Sequence, residues 1–427
     1  MSTPPLRLLP MAGLDAEELT EAFAGALDGS YVLAPLPPDP VEEAAVRAML
    51  ATAGRPGAVP DGVALIVSTS GSTGTPKGVM LSAAAIRAGA AATDDRIGGP
   101  GDWSLALGAH YVAGAMVVCR ALLAGTALHL APPHLDAPRI ADLTAAAGPD
   151  VRHYLSVVPT QLARLLDDDA ALAALARFDA ILLGGAAVAP ELLADLRARG
   201  LRIVTTYGMS ETSGGCVYDG RPLAGVEVRV ETAAVADPDH AAPDRADPNR
   251  PDPDHAAPDH ADPDRASAGR LTITGPMVFS GYLGRPDLTA EVLRIGPSGR
   301  RTLLTGDRGE IAPDGSVRVL GRLDDVVISG GLNVDLAAVQ TAARRALGTT
   351  DLVALGVTDE IWGTRVVVVT TVRTSLPDLR TVLAPVLAHH ALPRGLARLD
   401  VLPTTSSGKI DRRALIAAWG TMDEELA

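Results

Sequence analysis

The sequence predicts an α/β protein. A large N-terminal domain of mixed and parallel sheets with helices is followed by a small α+β C-terminal domain. Three observations carry this. Between residues 63 and 229, short Val- and Ile-rich runs alternate with Ala- and Leu-rich stretches, the pattern of strand–helix–strand units around a parallel sheet. From Arg270 to about Leu320 the chain is β-rich with Gly turns. Beyond Asp324, strands and helices mix over roughly a hundred residues, a usual size for a small domain. A chain of 427 residues also exceeds one compact unit.

Taken in order, a helix is expected over Asp15–Leu27, then a Pro-rich linker and a second helix over Val41–Ala51. Val63–Val67 reads as a buried strand, because an apolar β-branched run is bounded by polar residues and Gly. Ala180–Leu183, Pro190–Arg199 and Arg202–Thr205 read as strand, helix and strand. The small domain is expected to hold strands near Val326–Ser329, Val353–Val357 and Arg365–Val372. Its helices are expected over Leu336–Ala346 and Leu376–Ala388. The divisions are 1–321 for the large domain, 322–325 for a hinge and 326–427 for the small domain.

One stretch breaks the pattern. DPDHAAPDRADP at 237–248 recurs as DPDHAAPDHADP at 252–263, with nine Asp against three Arg between 237 and 266. Too little there is apolar to bury, and Pro recurs too often for helix or strand. A disordered acidic insertion at about 233–268 is expected, at the tip of a hairpin formed by VEVRVET and RLTITGP. Its His240, His255 and His260 read as solvated, because nothing positions them as metal ligands.

Composition excludes several functions. Hydrophobic residues make up 47% and aromatic ones only 3%, so a core is assured but stacking surfaces for bases are scarce. A net charge of −14 argues against nucleic acid and anionic membranes as partners. Cys119 and Cys216 are too few for a disulfide framework. With no apolar run for a signal peptide in the first residues, a cytoplasmic location is expected. The greasiest stretch, Val112–Ala131, is interrupted by Arg120 and His129 and reads as buried protein rather than a membrane span. A homodimer is compatible with the chain.

The chemistry concentrates in Ser68-Thr69-Ser70-Gly71-Ser72-Thr73-Gly74-Thr75-Pro76-Lys77-Gly78. Glycines let backbone N–H groups turn around an anion, hydroxyls add donors, and Lys77 adds charge. This is a phosphate-binding loop, and its spacing is not the Walker one.

This segment resembles the phosphate loop of the adenylate-forming superfamily, which includes acyl-CoA synthetases, luciferases and peptide-synthetase adenylation domains. Four further segments match in order: Tyr207-Gly208-Met209-Ser210-Glu211-Thr212, Thr305-Gly306-Asp307, Gly321-Arg322-Leu323-Asp324-Asp325, and Pro403 through Ile410 with Lys409. The resemblance implies that fold, with a mobile C-terminal domain. It also implies a carboxylate attacking the α-phosphate of ATP, then a thiol, here CoA, displacing AMP. Such a step brings anions together, so cations and N–H donors must offset the repulsion.

By that resemblance, Lys409 is the catalytic lysine and Glu211 holds Mg²⁺. ATP or AMP is bound by Thr69, Ser70, Gly71, Ser72, Thr73, Gly74 and Lys77 on the phosphate side. Gly184, Gly185 and Ala186 border adenine, Tyr207 covers it, and Thr206, Gly208 and Ser210 also bind the nucleotide. Asp307 receives the ribose hydroxyls, with Arg322 nearby. Asp324 is the hinge, and Gly330 and Gly331 approach CoA.

Two stretches resemble the o-succinylbenzoate–CoA ligases of actinobacterial menaquinone biosynthesis more narrowly: Asp94 through Gly114, and TYGMSETSGGCVYDG from Thr206 to Gly220. The resemblance implies o-succinylbenzoate, a dicarboxylate, as the acid. Its second carboxylate needs a paired cation, and Arg120 matches the arginine that supplies it. Gly208, Ser213 and Gly214 would line the acid pocket, with either His110 or Tyr111 over it. Ligases for another aromatic or medium-chain acid, and adenylation domains that load a carrier protein, share most of these residues.

Overall fold

The computed structural model describes residues 4–51, 59–70, 76–131, 135–148, 150–186, 188, 190–232, 268–359, 361–405, 410–422 and 424–426. The acidic insertion lies outside them, apart from Ala268, as do Gly71–Gly74 and Lys409.

The first sheet has five strands, in the order Leu6–Pro10, Val32–Leu36, Val63–Ser70, Pro76–Ser82 and Gly281–Tyr282. The first three run parallel and the rest antiparallel. The short N-terminal region thus completes this sheet with two strands of its own. Val32–Leu36 is buried at every position, as a strand covered on both faces must be. Helices Ala16–Leu27 and Pro40–Leu50 start where Asp15 and Asp39 accept backbone N–H groups, and Glu18 closes a capping box on Asp15.

The second sheet has seven strands. Asp102–Leu105, Leu128–Leu130, His153–Val157, Ala180–Gly184 and Ile203–Met209 are parallel, and Gly214–Tyr218 and Arg221–Pro222 add an antiparallel edge. The expected strand at Arg202–Thr205 runs on to Met209, because the chain folds back and pairs with Gly214–Tyr218. One core joins these two sheets through helices Ala83–Ile97 and Val112–Ala124, with Leu65, Ile86, Trp103, Met116, Tyr218 and Phe279 all inside. Val112–Ala131 is therefore a buried helix and a strand. Among the described residues no helix is long and apolar enough to cross a membrane.

In the third sheet Glu227–Glu231 pairs directly with Gly269–Thr274, as expected for the arms around the insertion. Arg301–Ile311 sits beside them and pairs with Val317–Arg322. The fourth sheet is built wholly from residues after 325, and helices Leu336–Leu347 and Leu376–Leu383 pack on it. The second of these helices stops at Leu383 rather than Ala388. Pro385 removes an amide donor and disfavours helix at the residue before it. The strand expected over Arg365–Val372 spans Gly363–Thr370.

Among the described residues, the contacts that join the fourth sheet's unit to the rest include an ion pair and a close backbone approach. Arg308 pairs with Asp335, which also caps the Leu336–Leu347 helix. Gly321 lies so close to Ala337 that a Cβ there would stand 2.6 Å from the Ala337 methyl.

Candidate active site

The strand Val63–Ser70 and its return, Pro76–Ser82, form a hairpin in which Thr69 faces Lys77 and Ser70 faces Pro76. Gly71–Gly74, expected to bind the anion, lie outside the described residues. Lys77 emerges where the strand resumes. Its Nζ stands 5.3 Å from the centre of the Tyr282 ring.

Tyr282 belongs to the two-residue strand Gly281–Tyr282, which pairs with Val79 and Met80. Its hydroxyl donates to Glu211 Oε1 at 2.7 Å. Glu211 sits in a single 3-10 turn, Ser210–Thr212, directly after the Ile203–Met209 strand. Three features shape this turn. Thr212 Oγ1 accepts the Met209 N–H and donates to Gly214 O. Ser213 adopts φ 52°, a left-handed conformation that few side chains take, and its hydroxyl donates to Met277 O. Gly208 must lack a side chain, because a Cβ there would collide with Gly214 O.

A second carboxylate lies on the third sheet. Asp307 and Arg322 face each other across paired strands, with Arg322 Nη1 3.2 Å from Asp307 Oδ1. The other oxygen, Oδ2, accepts the Tyr207 hydroxyl at 2.7 Å. Thr305 Oγ1 holds the Asp307 N–H and donates to Leu271 O. Asp307 is thus buried, with one partner on each carboxylate oxygen and acceptor capacity left over. Burial, and then the Asp307 charge, push the Tyr207 phenol far above its ordinary range. Burial and Glu211 do the same to Tyr282, with Arg322 opposing them. Arg322 therefore lies near Tyr282 as well as beside Asp307, which brings Lys77, Tyr282, Glu211, Tyr207, Asp307 and Arg322 into one neighbourhood, the candidate cleft.

Around this cleft, Gly184 ends its strand opposite Thr206, and a Cβ on it would collide with Thr206 Oγ1. Gly185 and Ala186 form an exposed turn beyond it. Ser210 is buried in the Glu211 turn. Arg322 Nε also reaches Asp324 Oδ1 at 3.1 Å, which ties the site to the turn Leu323–Asp325. Lys409 lies outside the described residues, but the stem of its loop does not. Thr404 and Ile410 form a bridge, Asp411 N donates to Pro403 O, and Arg412 pairs with Asp325 at 3.2 Å. Gly330 and Gly331 stand apart from the cleft, at the tip of the Val326–Ser329/Leu332–Asp335 hairpin, where Gly330 lies on the Trp362 ring.

His110 and Tyr111 form one stack, with ring centres 4.0 Å apart, at the start of helix Val112–Ala124. Burial lowers the His110 pKa to about 4, so its imidazole is neutral at pH 7. Along the same helix, Met116 lies against Gly89 and Gly214. Arg120 is one turn deeper and 3% exposed. Its guanidinium covers Trp103 at 5.1 Å, and its Nη2 reaches the Tyr218 hydroxyl at 3.4 Å. Asp94 lies near enough for Arg120 to oppose the effect of burial, which raises the Asp94 carboxyl to about 6. Arg120 is thus placed in the core beside the pocket wall and does not join the Glu211–Asp307 cleft.

Sequence reasoning missed Tyr282. The available signal was a Gly-Tyr pair between glycines in a chain with only six tyrosines.

Comparison with known proteins shows the family. The AMP-binding enzyme family matches residues 15–283. A probable 2-succinylbenzoate–CoA ligase of Mycobacterium tuberculosis is 36% identical over 84% of this chain and 85% of its own length. A phenyloxazoline synthase, MbtB, of a Mycobacterium species is 33% identical over 84% of this chain and 30% of its own. Among solved structures, ATP-bound MatB from Rhodopseudomonas palustris superposes with TM-score 0.73 at 23% identity, covering 98% of this chain and 89% of that one. O-succinylbenzoate coenzyme A synthetase from Bacillus subtilis, in complex with ATP and magnesium ion, has TM-score 0.73 at 20% identity, covering 96% and 89%.

Proposed function

The chain belongs to the AMP-binding enzyme family, and we propose from this that it is an ATP-dependent 2-succinylbenzoate–CoA ligase of menaquinone biosynthesis. It activates the succinyl carboxylate of o-succinylbenzoate to an acyl-adenylate with release of pyrophosphate. CoA then displaces AMP and yields o-succinylbenzoyl-CoA. The identity of the acid is carried by one observation: the 36% match to the mycobacterial ligase runs nearly the full length of both proteins. The type of chemistry rests on the cleft.

In this reading Asp307, held by Tyr207 and Arg322, accepts the ribose hydroxyls, and Tyr207 covers adenine beside Gly184 and Gly185. Lys77 and the Gly71–Gly74 loop receive the phosphates. Mg²⁺ binds through one or two carboxylates plus phosphate oxygens and keeps several waters. Glu211, a carboxylate held by the Tyr282 hydroxyl, would supply one such ligand. When bound, the ion offsets phosphate charge. Lys409 neutralises the attacking carboxylate and the α-phosphate. The large unit ends at residue 321, and 322–325 form the hinge about which the unit 326–427 turns between the two half-reactions. His110 and Tyr111 together cap the acid channel, and Arg120 receives the benzoate carboxylate. The reaction takes place in the cytoplasm.

The match to MbtB favours a second reading, loading of a carrier protein. An AMP-release assay with ATP and o-succinylbenzoate decides between them. Release that depends on CoA is expected. No AMP with o-succinylbenzoate, or turnover only with a carrier protein, would overturn the proposal.

A further inference from the structure

Tyr282 stands between the two charged side chains at the phosphate end of the cleft. Its ring faces Lys77 Nζ at 5.3 Å, and its hydroxyl reaches Glu211 Oε1 at 2.7 Å. Lys77 and Glu211 carry opposite charges, yet among the described residues they form no ion pair with each other. The ring explains this. It gives the ammonium a negative face to rest on and gives the carboxylate a neutral donor.

The ring itself is fixed. It is 8% exposed and meets the Phe279 ring edge-on at 5.0 Å. Its backbone is bound on every side. Tyr282 N donates to Thr289 Oγ1, Ser280 N to Met80 O, Leu283 N to Gly78 O, and Phe279 N to Glu211 O. The segment 279–283 thereby joins the strand leaving the phosphate loop to the Glu211 turn. No part of Tyr282 can shift without moving one of these elements.

We propose that Tyr282 is a positioning residue and spacer for ATP binding: it holds Glu211 in place for the metal and keeps Lys77 free for phosphate. A direct Lys77–Glu211 pair would neutralise both groups before the nucleotide arrived. The inference rests on the reading of Glu211 as the Mg²⁺ ligand and Lys77 as a phosphate-side cation. It adds a residue to which none of the sequence motifs drew attention.

The test is equilibrium binding of nucleotide by titration calorimetry at a series of Mg²⁺ concentrations. Tyr282→Phe keeps the ring under Lys77 and removes only the hydroxyl. It is expected to raise the Mg²⁺ concentration for half-maximal tightening of ATP binding by about three- to tenfold. AMP binding without metal should stay within about twofold of wild type, since one hydroxyl remote from the ribose is at issue. Tyr282→Leu, which removes the ring as well, should also weaken metal-free ATP binding. An unchanged Mg²⁺ dependence in Tyr282→Phe would overturn the proposal. The double variant Glu211→Gln/Tyr282→Phe supplies an independent check. If Tyr282 acts through Glu211, losing the hydroxyl adds nothing to the Glu211→Gln defect, and full additivity would overturn the role. A wild-type protein that binds ATP without any Mg²⁺ dependence would instead overturn the assignment of Glu211.

Discussion

Tyr207 and Asp307, a hundred residues apart in sequence, are joined by a 2.7 Å hydrogen bond from phenol to carboxylate. The bond connects the last parallel strand of the second sheet to the third sheet, and Arg322 holds the carboxylate from its other side. On the proposed reading, the acid that receives the ribose is thus held in place before the nucleotide enters. Tyr207→Phe keeps the ring and loses this restraint. A hydrogen bond to a charged group contributes about 1.5–3 kcal/mol, so the KM for ATP should rise roughly tenfold, with the KM for the acid little changed. Steady-state kinetics with each substrate varied in turn would check this. Equal effects on both would show that Tyr207 does not act through the nucleotide.

Arg308 and Asp335 tie the fourth sheet's unit to the third sheet. In this arrangement Ile328 and Leu332, beside the Gly330–Gly331 tip, are exposed, so the tip is not inserted into the cleft. Arg308→Ala should therefore weaken the arrangement seen here. A partly exposed ion pair contributes up to about 1 kcal/mol, enough to shift a two-state balance roughly fivefold. Pyrophosphate exchange should slow relative to thioester formation from preformed acyl-adenylate. Single-turnover rates for the two half-reactions give the ratio, and an unaltered ratio would rule out the pair as a restraint on the small unit.

Arg120 offers a test of acid recognition that also reads stability. Arg120→Ala removes the cation that packs on Trp103 and reaches Tyr218, and leaves the Asp94 carboxyl without its neighbour. The KM for o-succinylbenzoate should rise by more than about tenfold while that for ATP stays within about twofold, since a buried anion without its partner is costly. The melting temperature should fall as well. A lower melting temperature with an unchanged acid KM would make Arg120 a core cation only.

His153 makes acid stability testable. It is buried, its Nε2 lies 2.8 Å from Ser104 Oγ, and its ring packs on Phe178. Burial, then the charge of His129, lower its pKa from 6.5 to about 4, against the pull of Asp102 and Asp179. The folded state thus binds its proton less well than the unfolded chain. Stability is unaffected above about pH 6.5 and is lost as pH falls from there towards 4. The loss from this one group reaches about 2 kcal/mol near pH 5. His153→Asn should be less stable at pH 7.5 but should lose less on going to pH 5. Urea unfolding at the two values measures the difference, and an equal loss in both proteins would place the acid sensitivity elsewhere.

What was legible in the sequence was local. Asp15 with Glu18, and Asp39 with Pro40, mark helix starts through caps that need only neighbours. The Tyr-Gly-Met-Ser-Glu segment closes the strand Ile203–Met209 and turns directly after it, while Thr-Gly-Asp sits within the strand Arg301–Ile311, and the Tyr207–Asp307 bond brings the two together. What was hidden was non-local. Tyr282 is functional only because a two-residue strand pairs with Val79 and Met80, some two hundred positions earlier. The depth of Arg120 depends on how helices Ala83–Ile97 and Val112–Ala124 pack, which a helical pattern does not encode. The early stop at Leu383 was written in Pro385, and there the amphipathic pattern outweighed the breaker.

The pairing of Glu231 with Arg270 has a practical side. The chain leaves the third sheet and re-enters it at adjacent points, with Gly269 close under the Glu231 carbonyl. Closing a gap of some thirty-five residues rather than four costs only about 2 kcal/mol, because the penalty grows with the logarithm of length. This is a natural graft point, where a reporter domain or a short turn can replace the Asp/Pro/His repeat and leave the catalytic cleft as it is.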